Sequence, residues 1–150
     1  MILTGPRIAA AIDSGAISFS PFAAARLNPN SIDLHLGSTI RDYAGMTIDA
    51  RAPIDPPDRP IPDDGFWLEP GRLYTAPSRE TFGSHSYVPI VHGKSNIARA
   101  GLFVHVNGDM VDVGRVEPFV FQLVPVIPVR IAPGMAIAQV TFWTIDDSVD

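Results

Sequence analysis

The chain has 150 residues, 46% of them hydrophobic and 18% charged, with Lys plus Arg at 11 against 16 Asp plus Glu and a net charge of −5. That is one ordinary domain, residues 1–150, long enough to bury a core without staples. It has no basic run to follow a phosphate backbone, so nucleic acid is not an expected partner. No cysteine occurs, which removes disulfides, thiolate nucleophiles and Cys-rich zinc sites.

The apolar balance suits a chain whose surface is partly covered by other subunits. The start, MILTGPRIAAAIDSG, lacks a basic segment followed by an apolar run. The most apolar stretch, residues 118–143, is broken by Pro125, Pro128 and Pro133. A soluble, cytoplasmic protein without a membrane partner is therefore expected.

Near the start, Thr4 is a suitable N-cap, Pro6 falls in the first turn, Ile8 and Ile12 stand one turn apart, and Gly15 can close the end. These predict one short amphipathic helix. In SIDLHLG the period changes to two, with Ile32, Leu34 and Leu36 on one side and Asp33 and His35 on the other, as in a strand. Residues 51–65, RAPIDPPDRPIPDDG, hold five prolines and predict a loop, since proline neither continues a helix nor sits centrally in a sheet.

From Phe66 onward, short apolar runs alternate with turn signals: FWLEPGRLYTA, SYVPIVHG, GLFVHVNGD, EPFVFQLVP and IPVRIAPGMAIAQVTFW. This rhythm predicts a mainly β fold, a barrel or jelly-roll-like sandwich. The exception is KSNIARAG, where Ser95 can cap a short helical turn that Gly101 ends. Lys94, Ser95, Arg99 and free backbone N–H groups would converge there, either as a capped turn with solvated cations or as a phosphate site.

Two further positions invite chemistry. Asp112 in MVDVG either stabilises the bend before Gly114 or, ionised, handles a water. In PFVFQLVP, Phe119, Phe121 and Leu123 face one way and Val120, Gln122 and Val124 the other, so both faces are expected to be buried. A buried amide needs partners, and Gln122 either meets backbone or reads a base edge or a water. The four histidines, His35, His85, His92 and His105, show no metal-ligand spacing. His105 reads as a packed or rim residue, Glu80 and Asp109 as surface groups, and Asp33 as an anchor of the local fold.

Taken in order, MILTGPRIAAAIDSGAISFSPF, LNPNSIDLHLG, EPGRLYTAPSRETF, GKSNIARAGL, MVDVG and APGMAIAQVTF resemble the dCTP deaminase and dUTPase superfamily, most closely its dCTP deaminase branch. The resemblance implies a distorted, dUTPase-type β-barrel that forms a homotrimer. It implies sites at the subunit boundaries for a deoxypyrimidine nucleotide, dCTP or dUTP, with Mg2+ carried on the phosphates and no zinc. Phosphate or nucleotide contacts fall on Lys94, Ser95, Asn96, Arg99 and Gly108, where Asn96 replaces a second family Ser. Chemistry falls on Asp112, on Arg99 and on Gln122, which stands where deaminases carry the Glu that activates water.

Arg115 stands where the deaminases have an aromatic residue, and Glu117 where Gly is frequent. The expected protein is therefore an enzyme of nucleotide metabolism, a zinc-independent hydrolase acting on deoxynucleoside triphosphates, with deamination lacking its base at Gln122. The alternative is a catalytically inactive regulatory or structural trimer of the same fold. The sequence ends at DDSVD without the Gly-rich tail that folds over the triphosphate in the family, so an open site is expected.

Overall fold

The computed structural model describes residues 1–147; the end of DDSVD, on which the expectation of an open site rests, lies outside the described residues. The chain opens with helix α1 (Gly5–Asp13), whose Ile8 and Ala11 are buried. Thr4 is its N-cap, as the spacing predicts, although its side chain makes no capping bond. Gly5 is required because a Cβ there would stand 2.4 Å from the Asn28 carbonyl oxygen.

Three antiparallel sheets follow. The largest joins β4 (Arg59–Pro60), β3 (Thr39–Asp42), β6 (Tyr74–Ser84), β9 (Val116–Pro125) and β8 (Leu102–Val104) in that order, with β1 (Ile17–Ser20) also paired to β6. The second places β11 (Ala136–Thr144) between β2 (Ile32–His35) and β7 (Tyr87–Gly93), and the third pairs β5 (Phe66–Leu68) with β10 (Val129–Ile131). The fold is mainly β as expected, but among the described residues its sheets are open and do not close into a barrel. One core lies between them, with Leu34, Phe82, Phe121, Leu123, Val140 and Phe142 almost fully buried. No helix is long and apolar enough to cross a membrane among the described residues.

Prolines act on the segment 51–65 as predicted from their chemistry: it contributes only β4, two exposed residues at the edge of the large sheet. Arg41 ties it down through Asp55 and Asp58 at 3.1 and 2.9 Å, and the Tyr43 hydroxyl donates to Asp55 at 2.6 Å.

Two sequence expectations fail here. Glu80, read as a surface group, is 1% exposed. It is in phase with Tyr74, Ala76 and Phe82 on β6, all buried, so the period-two pattern already pointed it inward. A buried carboxylate needs partners, and β2 supplies them: the His35 backbone N–H donates to Oε2 at 2.8 Å and its Nδ1–H to Oε1 at 2.6 Å. With Nδ1 so used, Nε2 accepts from the Arg26 guanidinium. Second, β9 is buried on one face only: Phe121 and Leu123 are fully buried, whereas Val120 is 49% exposed and Gln122 half-buried.

The Glu80 pair joins two sheets, so its loss should be felt globally. Glu80→Ala leaves two buried His35 donors without their acceptor and is expected to lower unfolding free energy by about 3 kcal/mol, measured by urea denaturation.

Candidate nucleotide site

A cavity of about 490 Å³ opens beside the start of β9, with Asp112, Arg115, Glu117, His105, Gly108 and Phe119 in its wall. The segment from Leu102 to Val116 builds it. After β8 the chain reverses at His105, a non-glycine residue with φ of +57°, and at Gly108, with φ of +70°. A left-handed histidine is uncommon and costs on the order of 1 kcal/mol, so the surroundings must enforce it.

They do so from four directions. The His105 backbone N–H donates to the Gln122 carbonyl at 2.7 Å, and the Gln122 N–H donates to His105 Nδ1 at 3.1 Å. Nε2–H donates to the Gly108 carbonyl at 2.9 Å. The ring stands edge-on to Phe119, with centroids 4.5 Å apart. With Nδ1 accepting and Nε2 donating, the imidazole is neutral and both nitrogens are occupied. Burial pushes its pKa below the ordinary value, outweighing the upward influence of the Gly108 bond and of Asp109. Sequence reasoning missed this role; the only local signal is the Asn107–Gly108 turn pair, which marks a reversal without saying what holds it.

Farther along, the segment after Gly108 is clipped to β7. The Val91 N–H donates to the Asp109 carbonyl at 2.8 Å and the Val111 N–H to the Pro89 carbonyl at 2.9 Å. This presents Asp112 at the rim, its side chain 73% exposed and 3.9 Å from Arg115. Arg115 also meets Glu117 at 2.7 Å. Both pairs lie in solvent and contribute little to stability. Their importance is chemical, because one cation stands between two carboxylates at the cavity mouth.

Asp112 and Gly108 therefore share the cavity, while the other predicted site residues lie elsewhere. Gln122 is two residues beyond Val120, which borders the cavity, and opposes Thr75 of β6. Its side-chain amide makes no hydrogen bond among the described residues, at no great cost because it is half-buried. Ser95, Asn96 and Arg99 belong to α2 (Ser95–Arg99), exposed and without side-chain partners among the described residues. Lys94, not Ser95, is the N-cap of this helix, and no side chain caps it. Its ammonium is held by Asp33 at 2.6 Å, and Asn28 donates to the same carboxylate at 2.8 Å.

The two groups lie toward opposite ends of β9. The cavity is at residues 117–120 of the strand, whereas α2 leads into Leu102, which pairs with Pro125. Five residues of strand span roughly 17 Å.

The fold defines a class, that of mainly β proteins built from open antiparallel sheets. Within it, a dCTP deaminase-like family model matches residues 2–145, and the chain belongs to that family. A dUMP-forming dCTP deaminase of Clostridium botulinum (strain Alaska E43 / Type E3) is 35% identical over 150 residues, covering 100% of this chain and 86% of that protein. A dUMP-forming dCTP deaminase of Cytophaga hutchinsonii is 37% identical, covering 97% of this chain and 84% of its own. The crystal structure of 2'-deoxycytidine 5'-triphosphate deaminase from Agrobacterium tumefaciens superposes with a TM-score of 0.74 at 20% identity, over 94% of this chain and 47% of that one.

These relatives correct one expectation. The chain was expected to be a hydrolase acting on deoxynucleoside triphosphates, but the relatives are named dCTP deaminases, dUMP-forming, a different reaction.

The neutral His105 makes the cavity sensitive to acid. The folded state resists protonating a ring that the unfolded chain protonates near pH 6.5. Its contribution to stability is therefore complete above that pH and lost as pH falls below it. His105→Asn, which tolerates positive φ, should show a smaller loss between about pH 7 and 5.5 in denaturation experiments.

Proposed function

We propose that this chain binds a deoxycytidine nucleotide and acts in nucleotide metabolism of the dCTP deamination class, with the cavity taking the base and sugar. The carrying observation is the make-up of the wall. Asp112 and Glu117 flank a single Arg115, so the mouth is net negative and repels phosphate, while Phe119 and the neutral His105 offer ring surface to a base. Carboxylates accept from the exocyclic amine of cytosine, a donor that uracil lacks.

The phosphates need cations, and the exposed Arg99, Ser95 and Asn96 of α2 are free to meet them; Lys94 steadies this helix through Asp33. Because cavity and α2 are separated along β9, one nucleotide is best served by the cavity of one subunit and the α2 of another. The half-open face of Val120, Gln122 and Val124, with Phe103 51% exposed beside it, supplies apolar surface for a homotrimer that would build such boundaries. Among the described residues no three His, Asp or Glu converge on a metal position. Magnesium is read as arriving on the triphosphate, where it would neutralise phosphate charge.

Gln122, outside the cavity wall on the half-open face of β9, is read as limiting the rate where a second subunit would complete the site. An amide holds water or a base edge but takes no proton at neutral pH, and positioned acid–base help is worth about two to four orders of magnitude. With dCTP and magnesium, the protein should show a thermal shift that Arg99→Ala weakens about tenfold in affinity. Gln122→Glu should raise ammonia release from dCTP by at least about a hundredfold. Absence of any shift with dCTP would sink the binding reading, and an unchanged rate in a dCTP-binding Gln122→Glu protein would remove the assigned role of position 122.

A further inference from the structure

Behind the cavity wall, the ladder between β6 and β9 is interrupted. Pro77 pairs with Val120 and Thr81 with Pro118, so β6 advances from 77 to 81 while β9 moves only from 120 to 118. A bulge of this kind leaves ladder groups without their usual partners. Pro118 has no N–H to satisfy, and the Phe119 N–H is the donor left facing the bulge.

Ser78 answers it. The Ser78 hydroxyl accepts from the Phe119 N–H at 2.9 Å and donates to the Glu80 carbonyl at 2.6 Å, within a site where Ser78 is 5% exposed. A hydroxyl is suited to this place because it both accepts and donates. The far side of the link is rigid, since the Glu80 carboxylate is held by His35 of β2. The near side is the cavity itself: the Phe119 ring lines it and stands 4.5 Å from His105, which in turn holds Gly108 and Gln122.

We propose that Ser78 is a positioning residue for the nucleotide cavity, its hydroxyl fixing Phe119 and, through that ring, His105. The link to nucleotide rests on the cavity being the base-binding end, but the placement of Phe119 and His105 does not. Without the hydroxyl, a buried N–H and a buried carbonyl both lose their partner, and the cheapest relief is for β9 to shift at Phe119 toward the open cavity.

The test compares wild type with Ser78→Ala, Ser78→Cys and Ser78→Thr. Ring resonances of His105 are followed by NMR through a pH titration, alongside the affinity for dCTP with magnesium. Ser78→Ala should displace the His105 resonances, raise its titration midpoint toward the ordinary imidazole value as water reaches the ring, and weaken dCTP binding about tenfold. Ser78→Thr, which keeps the hydroxyl, should restore both.

If Ser78→Ala does not fold, the near-isosteric Ser78→Cys, a poor hydrogen-bonding substitute, is read in the same way. A folded Ala or Cys variant with His105 resonances and midpoint unchanged overturns the proposal, as does one with displaced resonances but wild-type dCTP affinity. If the wild type itself fails to bind dCTP, the proposed function falls, and the His105 readout still decides whether Ser78 positions the wall.

Discussion

Strand β6 is the constraint on which the rest depends. It is the longest strand described, Tyr74–Ser84, and β1, β3 and β9 all pair with it. Its inward phase puts Tyr74, Ala76 and Phe82 into the core and, in the same phase, buries Glu80. The carboxylate in that position forces an arrangement on β2, because only the donors of His35 make its burial tolerable. The two larger sheets are thus joined through a polar contact within an apolar core.

The cavity follows from the same pairing. Register with β6 sets where β9 begins, β9 carries Phe119, and His105 is latched to the backbone of Gln122 on that strand. Three of the cavity's features have one cause: the strained φ of His105, its neutral ring and its contact with Phe119 all come from pressing a short reversal against β9. Asp112, Arg115 and Glu117 then project from the connection between that reversal and β9, where they remain in water. An aromatic wall below and solvated charges above agree with the base-binding role proposed for the cavity.

Much of this was legible locally. The helix over Gly5–Asp13 follows from Thr4, Pro6 and the Ile8–Ile12 spacing, and β2 from the alternation in SIDLHLG. The inner face of β9 follows from Phe121 and Leu123, and the Pro-rich segment supplies only an edge. Glu80 was misread because its charge was weighed above its phase. The outer face of β9 was misread because Val120 and Val124 were weighed by their apolar character alone. The start of α2 slipped by one residue, since Ser95 has the chemistry of a cap but Lys94 has the extended backbone.

By itself the sequence determined the β character, the phases of the strands, the absence of thiol chemistry and the set of motifs that mark the family, because each depends on residue type and short spacing. Tertiary structure alone decided which groups remain free to act. Lys94 is held by Asp33, 61 positions away, and both nitrogens of His105 are occupied, one by a residue 17 positions distant. Asp112 reaches the cavity while Gln122 lies farther along β9. Such pairings arise from strand register and from the closing of long loops, and neither is encoded in the pattern of neighbouring residues.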